Sequence, residues 1–348
     1  MTFAPLSERP HVLVARLDNA GDVLLAGPAI RAVARTARRV TVLCGPAGRA
    51  AADLLPGADE VVTFAAPWVA FDAPPVDRPT IDALVDHLAR LRPDQAFVLT
   101  SFHQSPLPLA LLLRLAGVAT IAAVSVDYPG TLLDVRHAVD DERHEVERAL
   151  SLVATLGHLP DPDDDGRLAV RRPLPGWRPF PGRYVVVHPG ASVPSRGWDA
   201  GRAVALVDGL VSLGWRVAVT GAPAEAALTA AVAGPGRAEV ADLGGRTDLA
   251  GLAGVLDGAE VVVCGNTGPA HLAAAVGTPV VSIFAPVVPA LRWQPWGVPV
   301  VLLGNQKIAC AGCRARVCPY EGQPCLAGVT AEAVLAAVES LAGARVAS

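Results

Sequence analysis

The sequence predicts an α/β fold with two domains, each built around a parallel β-sheet. Short apolar segments rich in β-branched residues alternate with helix-like segments along the chain. This alternation stops at a proline-rich stretch and then begins again, and a chain of 348 residues is long enough for two such domains. Parallel sheets are covered by helices on both faces and bind ligands beyond the carboxyl ends of their strands. Two Rossmann-like domains therefore predict a cleft between two sets of strand ends.

The predicted N-terminal domain spans residues 1–157, and a long helix over residues 137–156 leads out of it. Residues 158–182 form a predicted linker, which contains six prolines and an acidic run. The predicted C-terminal domain spans residues 183–348 and includes a cysteine-rich segment, residues 310–325, and a closing helix. Strands are predicted to begin at His11, Arg39, Glu60, Gln95 and Thr120 in the first domain and at Tyr184, Arg216, Val261, Val280 and Val300 in the second.

The composition is that of a globular protein without an electrostatic affinity for nucleic acid. Hydrophobic residues make up 52% of the chain and charged residues 18%, so a large core can be buried. The net charge of −4 does not favour a nucleic-acid partner. The first ten residues lack the apolar segment of a signal peptide, and no apolar stretch reaches the ~18 residues of a membrane span. We therefore expect a cytoplasmic protein, with peripheral docking to a membrane left open.

The most informative turn follows a short apolar segment at residues 260–263. Asn266, Thr267 and Gly268 connect that predicted strand to an alanine-rich helix. A helix N-terminus carries unpaired amides and the positive end of the dipole, which suit a phosphate. Thr267 could donate its hydroxyl to a phosphate oxygen, and His271 lies one turn along on the same helix face. The alternative is an ordinary strand–helix joint with a threonine cap and a packed histidine.

The loop after the first predicted strand carries two carboxylates, Asp18 and Asp22. Asp22 is a candidate general base at the predicted cleft. The alternative is an aspartate that only complements the dipole of the helix that it begins. Asp18 has the same two interpretations.

Two loops of the second predicted domain carry further polar candidates. Ser192 and Arg196 follow the strand that begins at Tyr184, and the arginine could clamp a diphosphate with two parallel hydrogen bonds. The alternative is a surface loop with a solvated arginine. Glu225 follows the next strand and could accept hydrogen bonds from ribose hydroxyls, although a glutamate at a helix start needs no ligand.

Four cysteines lie close together in the C-terminal segment. Cys310, Cys313, Cys318 and Cys325 have two, four and six residues between them. Four thiolates suit a structural zinc ion or an iron–sulfur cluster. The alternatives are reduced thiols or one or two disulfides, and a cytoplasmic location counts against stable disulfides. We expect a structural role for this segment in either case.

Taken together, these segments resemble glycosyltransferase family 9, the heptosyltransferases related to those that build the lipopolysaccharide inner core. The resemblance spans nearly the whole chain, roughly residues 12–341. It rests on Arg16-Leu-Asp-Asn-Ala-Gly-Asp22, on His188-Pro-Gly-Ala-Ser192 with Arg196-Gly-Trp198, and on Asn266-Thr-Gly-Pro-Ala-His271.

The resemblance implies a GT-B fold and an inverting, metal-independent glycosyltransferase. Such an enzyme moves a sugar, often a heptose, from a nucleotide-diphosphate donor such as ADP-heptose to a glycan or other hydroxyl acceptor. Asp22 would deprotonate the acceptor, and no cofactor would be required for catalysis. Asp18, His103 and Gln104 would be candidate contacts for the acceptor. The implied donor-binding residues are Ser192, Arg196, Glu225, Asn266, Thr267, Gly268 and His271.

Three other functions remain open at this point. A nucleotide-sugar 2-epimerase shares the architecture but needs extra acid–base groups in the cleft. A non-catalytic nucleotide-sugar-binding protein would use the donor-binding residues without a general base. A metal-binding adaptor built on the cysteines would leave the two large domains without a role.

Overall fold

The computed structural model describes residues 8–69, 73–101 and 103–344. The chain divides into two compact units, the first ending at Gly166 and the second beginning at Arg167. This division falls within the predicted linker of residues 158–182. No helix in the described ranges is long and apolar enough to cross a membrane.

The first unit is a doubly wound α/β domain. Its strands are β1 His11–Arg16, β2 Arg39–Cys44, β3 Glu60–Thr63, β4 Gln95–Leu99, β5 Thr120–Val124 and β6 Val135–His137. They form a parallel sheet in the order β3-β2-β1-β4-β5-β6. Its helices are α1 Ala20–Leu25, α2 Gly27–Thr36, α3 Arg49–Asp53, α4 Arg78–Leu91, α5 Leu107–Leu115 and α6 Glu145–Ala154. All six residues of β1 are buried, as a central strand covered on both faces requires.

The helix predicted over residues 137–156 is wrong in its first half. The chain there forms β6, then a turn, and only then α6, which begins at Glu145. The reason is a capping box, in which the His144 ring accepts a hydrogen bond from the Val146 amide at 3.2 Å. The Glu147 carboxylate accepts one from the His144 amide at 3.2 Å. These bonds satisfy amides that a longer helix would use internally, so the helix starts here.

The acidic run of residues 161–165 belongs to the first unit rather than to a free linker. The Arg31 guanidinium on α2 donates two hydrogen bonds of 2.8 Å to the Asp164 carboxylate. One turn further along α2, Arg35 forms an ion pair with Asp161 at 3.0 Å. Two-pronged pairing between arginine and carboxylate fixes geometry as well as charge, so the run is tied to α2.

The second unit repeats the same architecture. Its strands are β7 Tyr184–His188, β8 Arg216–Gly221, β9 Val240–Gly244, β10 Val261–Gly265, β11 Val280–Ile283 and β12 Val300–Leu303. They form a parallel sheet in the order β12-β11-β10-β7-β8-β9. Its helices are α7 Ala200–Ser212, α8 Ala226–Ala233, α9 Leu249–Gly258, α10 Gly268–Ala275, α11 Ala290–Trp293, α12 Pro324–Ala327 and α13 Ala331–Leu341.

The two sheets have the same strand order, with the first strand of each unit next to its fourth. This is the order of the dinucleotide-binding fold, in which the chain changes direction between those two strands. Ligands bind at that switch point, outside the carboxyl ends of the strands. The switch points lie between β1 and β4 in the first unit and between β7 and β10 in the second.

Candidate functional site

In the first unit, a buried arginine occupies the switch point. Arg16 is the last residue of β1 and is only 5% exposed. Its guanidinium forms ion pairs with Asp18 at 2.8 Å, with Asp22 at 3.0 Å and with Glu145 at 3.2 Å. Burial disfavours its charge, but the three carboxylates outweigh that effect and raise the pKa of Arg16.

Asp18 is an internal member of this charged group. Its carboxylate pairs with Arg16 and also accepts a hydrogen bond of 2.5 Å from the Gln104 side-chain amide. Burial raises the pKa of Asp18 to about 6, against the opposing effect of Arg16 and with a further upward contribution from Asp22. Asp18 and Gln104, both candidate acceptor contacts, therefore bind each other in this structure. His103, the third candidate, is exposed.

Asp22 is the most accessible carboxylate of the group. Its side chain is 18% exposed, whereas those of Asp18 and Glu145 are 7% and 3% exposed. The residue lies in the first turn of α1, directly after the loop that leaves β1. A carboxylate in this place can accept a proton from a bound hydroxyl, as a general base must.

In the second unit, the turn after β10 presents buried polar atoms at its switch point. Thr267 is the N-cap of α10, yet its side chain makes no capping hydrogen bond. Within the described parts of the chain, neither its hydroxyl nor the Asn266 side-chain oxygen has a hydrogen-bond partner, although both atoms are buried. Thr267 and Asn266 are 8% and 6% exposed. A buried hydroxyl without a partner costs about 1–3 kcal/mol, so such a group calls for an explanation.

The backbone of this turn supplies fewer donors than an ordinary helix start. Pro269 has no amide hydrogen, and the Ala270 amide donates to the Thr267 carbonyl at 3.1 Å. An anion here must therefore rely on the Gly268 amide and on side chains. Arg196 lies next to the turn, since its guanidinium donates to the Asn266 carbonyl at 3.4 Å. A pocket of about 270 Å³ beside the turn is lined by Arg196 and by the ends of β7 and β10.

The other predicted donor-site residues are placed around the same strand ends. His271 is buried on α10. Ser192 is exposed in the loop after β7. The Glu225 carboxylate accepts a hydrogen bond of 2.7 Å from the Ala222 amide. It lies directly over Gly190, where any side chain would overlap with it, so the glycine permits the approach.

His188, at the end of β7, connects two of these loops. Its ring hydrogen-bonds the Thr220 hydroxyl at 3.0 Å and lies 3.8 Å from the Glu225 carboxylate. Burial lowers the pKa of His188, and Glu225 acts in the opposite direction. The ring also lines the pocket beside Arg196. The histidine thus packs in the core, as its apolar strand indicates, and also touches the candidate site.

The cysteine-rich segment is docked against the turn Pro194–Arg196. The Ser195 amide donates to the Arg316 carbonyl at 3.0 Å, and the Gln323 side chain donates to the Ser195 carbonyl at 2.6 Å. The Ser195 hydroxyl donates to the Ala315 carbonyl. Residues 310–325 therefore support the stretch of chain that carries Arg196.

All four cysteines of this segment line one pocket of about 380 Å³. They are free thiols, and burial together with the neighbouring thiols raises the pKa of Cys325. However, no group of three or more His, Cys, Asp or Glu side chains in the described ranges is placed to hold a metal ion. The zinc or iron–sulfur site therefore stays a prediction.

Comparison with known proteins identifies the family. The model of glycosyltransferase family 9 (heptosyltransferase) matches residues 103–323, more than half of the chain. The chain belongs to glycosyltransferase family 9.

Curated relatives agree with this assignment over part of their length. Lipopolysaccharide heptosyltransferase 1 of Pseudomonas aeruginosa is 29% identical over 223 residues, which are 63% of this chain and 62% of the relative. Lipopolysaccharide heptosyltransferase 3 of Escherichia coli is 31% identical over 116 residues, which are 32% of this chain and 34% of the relative. The chain therefore spans less than two thirds of the length of these relatives.

Solved structures of the family share the fold over nearly the whole chain. A family 9 glycosyltransferase from Veillonella parvula has a TM-score of 0.77 at 16% identity, covering 95% of this chain and 97% of its own. The ADP-heptose lipopolysaccharide heptosyltransferase II of Escherichia coli has a TM-score of 0.72 at 20% identity, covering 95% and 98%. The prediction of an α/β fold with two Rossmann-like parallel sheets, as in GT-B enzymes, is confirmed.

Sequence reasoning missed two members of the charged group, Arg16 and Glu145. The sequence did contain a sign of the role of Arg16, which ends an otherwise apolar strand. An arginine in that position must find charged partners if it is buried. The sequence contained no such sign for Glu145, since the predicted helix of residues 137–156 placed it in mid-helix rather than at a helix start.

Proposed function

We propose that the protein is an inverting glycosyltransferase that transfers a heptose from ADP-heptose to a hydroxyl group of a glycan of the lipopolysaccharide class. Membership of family 9 and the names of the curated relatives support this activity. The Escherichia coli heptosyltransferase WaaC has been solved with ADP and with ADP-2-deoxy-2-fluoro heptose, which supports the same donor here. We place the reaction in the cytoplasm.

The second unit would bind the leaving diphosphate. As the bond from the anomeric carbon to the phosphate oxygen breaks, negative charge grows on the diphosphate. Arg196, the Gly268 amide and the Thr267 hydroxyl would stabilise that charge more strongly in the transition state than in the bound donor. Glu225 would accept hydrogen bonds from the ribose.

The first unit would supply the base. The Asp22 carboxylate takes the proton of the acceptor hydroxyl while the acceptor oxygen bonds to the anomeric carbon. The acceptor oxygen attacks from the face opposite the nucleoside diphosphate, which leaves with the electron pair of the broken bond, so the configuration at the anomeric carbon inverts. The mechanism requires no metal ion.

The observation that carries this proposal is the buried Thr267 hydroxyl, which has no partner within the described residues and lies where α10 begins. A structural cap would use that hydroxyl, whereas a diphosphate would satisfy it. The Thr267 hydroxyl and the Arg196 guanidinium are donors of the kind that a diphosphate needs. The neighbouring Asn266 side-chain oxygen is an acceptor and would instead take a hydrogen bond from a hydroxyl group of the donor.

The test is a transfer assay with ADP-heptose and a panel of heptose-deficient lipopolysaccharide acceptors. We expect ADP release that depends on acceptor, together with an acceptor that gains the mass of one heptose. Asp22→Asn should lower kcat by roughly 10²–10⁴-fold while calorimetry shows unchanged ADP binding. Asp82→Asn, at an exposed helix position, is the matched control and should keep full activity. Normal transfer by the Asp22 variant would refute the assigned base.

For the cysteine-rich segment we propose a structural role in holding the turn that carries Arg196. Zinc and an iron–sulfur cluster are the two groups that four thiolates suit. Metal analysis of the purified chain, compared with a Cys313→Ser variant, tests for either. A metal content near one ion or one cluster per chain that the variant loses would support a bound metal.

A further inference from the structure

The Arg16 guanidinium contacts side chains from several separate segments of the first unit. Arg16 ends β1, Asp22 lies in α1, and Glu145 begins α6, which is far away in the sequence. The Nη2 atom of Arg16 contacts both the Asp22 carboxylate at 3.0 Å and the Ser101 hydroxyl at 3.1 Å. The loop after β4 thereby also reaches the group.

The charged group around Arg16 has a buried part and a more accessible part. Asp18 and Glu145 are almost fully buried and hold the Nε and Nη1 atoms of Arg16. Arg148 lies 3.5 Å from Glu145 on the outer side, and Gln104 holds Asp18. The orientation of the arginine is thus set mainly by two carboxylates that are almost fully buried.

Stability alone does not explain this arrangement. Buried ion pairs seldom stabilise a fold more than apolar side chains of similar volume, because desolvation offsets the attraction. Here three carboxylates surround a single guanidinium, and Arg148 balances only part of the excess negative charge. Such a costly set is expected where a side chain must be held in a defined place.

We propose that Arg16 is a positioning residue that holds the Asp22 carboxylate in a fixed orientation for accepting the acceptor proton. This inference rests on the proposed role of Asp22 as the base. Asp18 and Glu145 fix the position of the Arg16 guanidinium. Its Nη2 atom then contacts Asp22, the most accessible of the three carboxylates.

The inference can be tested on the protein without any acceptor. Carbon-13 NMR of side-chain carboxyl groups, assigned with an Asp22→Asn sample, reports the surroundings and the mobility of the Asp22 carboxylate. In Arg16→Gln the Asp22 carboxyl resonance should change position and narrow, because the contact with Nη2 that holds the carboxylate is lost. An unchanged resonance in a folded Arg16→Gln variant overturns the inference, whatever the enzyme transfers.

Kinetics supply the second readout, in the assay described for the wild-type chain. Arg16→Gln should lower kcat by at least about tenfold and leave the donor KM unchanged, because a base out of position slows proton transfer without touching the donor site. Arg16→Lys keeps the charge but loses the planar fork, so it should restore kcat only in part. If Arg16→Gln does not fold, Arg16→Lys decides, and wild-type kcat in that variant overturns the inference.

Arg31→Gln is the matched control. It removes another paired arginine of the same unit, whose guanidinium donates two hydrogen bonds to Asp164. We expect lower stability but a wild-type kcat and an unchanged Asp22 carboxyl resonance. Failure of wild-type transfer with every acceptor would count against the proposed function, whereas the NMR comparison would still decide the role of Arg16.

Discussion

Replacing Thr267 with valine should separate folding from donor binding, because its hydroxyl has no partner within the described residues. Valine keeps the branched shape of threonine, and the extended backbone of Thr267, with φ of −136°, suits a β-branched residue. The substitution therefore removes one buried hydroxyl and little else. Stability and affinity are expected to change in opposite directions.

The magnitudes follow from the burial of the hydroxyl. An unsatisfied buried hydroxyl costs about 1–3 kcal/mol, so Thr267→Val should raise the free energy of unfolding by about 1 kcal/mol. A hydrogen bond to a charged phosphate contributes about 1.5–3 kcal/mol, so the Kd for ADP should rise about tenfold to hundredfold. Urea unfolding of the ligand-free chain and calorimetric titration with ADP measure the two quantities.

Thr330→Val is the matched control, since it makes the same chemical change at a threonine whose side chain does cap its helix. The Thr330 hydroxyl accepts a hydrogen bond of 3.2 Å from the Ala333 amide at the start of α13. This variant should lose about 1 kcal/mol of stability and bind ADP normally. The reasoning is refuted if Thr267→Val also loses stability and keeps wild-type affinity for ADP.

Two further predictions concern the other candidate residues. The pKa of Asp18 is raised to about 6 in the folded chain, so between about pH 4 and 6 the folded state holds a proton that the unfolded state has released. The wild-type chain should therefore lose on the order of 3 kcal/mol of stability as pH rises through that window, and urea unfolding of Asp18→Asn should show a flatter profile. In Gly190→Ala the new methyl group displaces the Glu225 carboxylate. Calorimetry should show weaker binding of ADP to this variant. Inorganic pyrophosphate, which has no ribose, should bind to it as it does to the wild-type chain.

The central strands could be predicted from the sequence because they are buried on both faces. The strands β1, β7 and β10 are almost continuous apolar runs, and each is followed by a polar loop at the sheet edge. Within each sheet, parallel topology then places such loops at one edge without knowledge of any side-chain contact. The loops that carry Asp22, Arg196 and Thr267 were found in this way.

Other features depend on contacts that sequence patterns do not contain. The edge strand β9 is half-buried and carries Asp242 and Gly244, so its apolar signal is weak. The start of α6 depends on a histidine cap, which is not among the residues that usually mark a helix N-terminus. Because that start was misplaced, the pairing of Glu145 with Arg16 could not be anticipated.

The repeated strand order has a consequence for engineering. Each half of the chain has its own six-stranded sheet and its own switch point, and the proposed roles divide between them in the same manner. A chimaera joined at Gly166 and Arg167 would combine one enzyme's choice of alcohol with another's choice of activated sugar. Such exchanges offer a route to new glycans that leaves the interior of both sheets untouched.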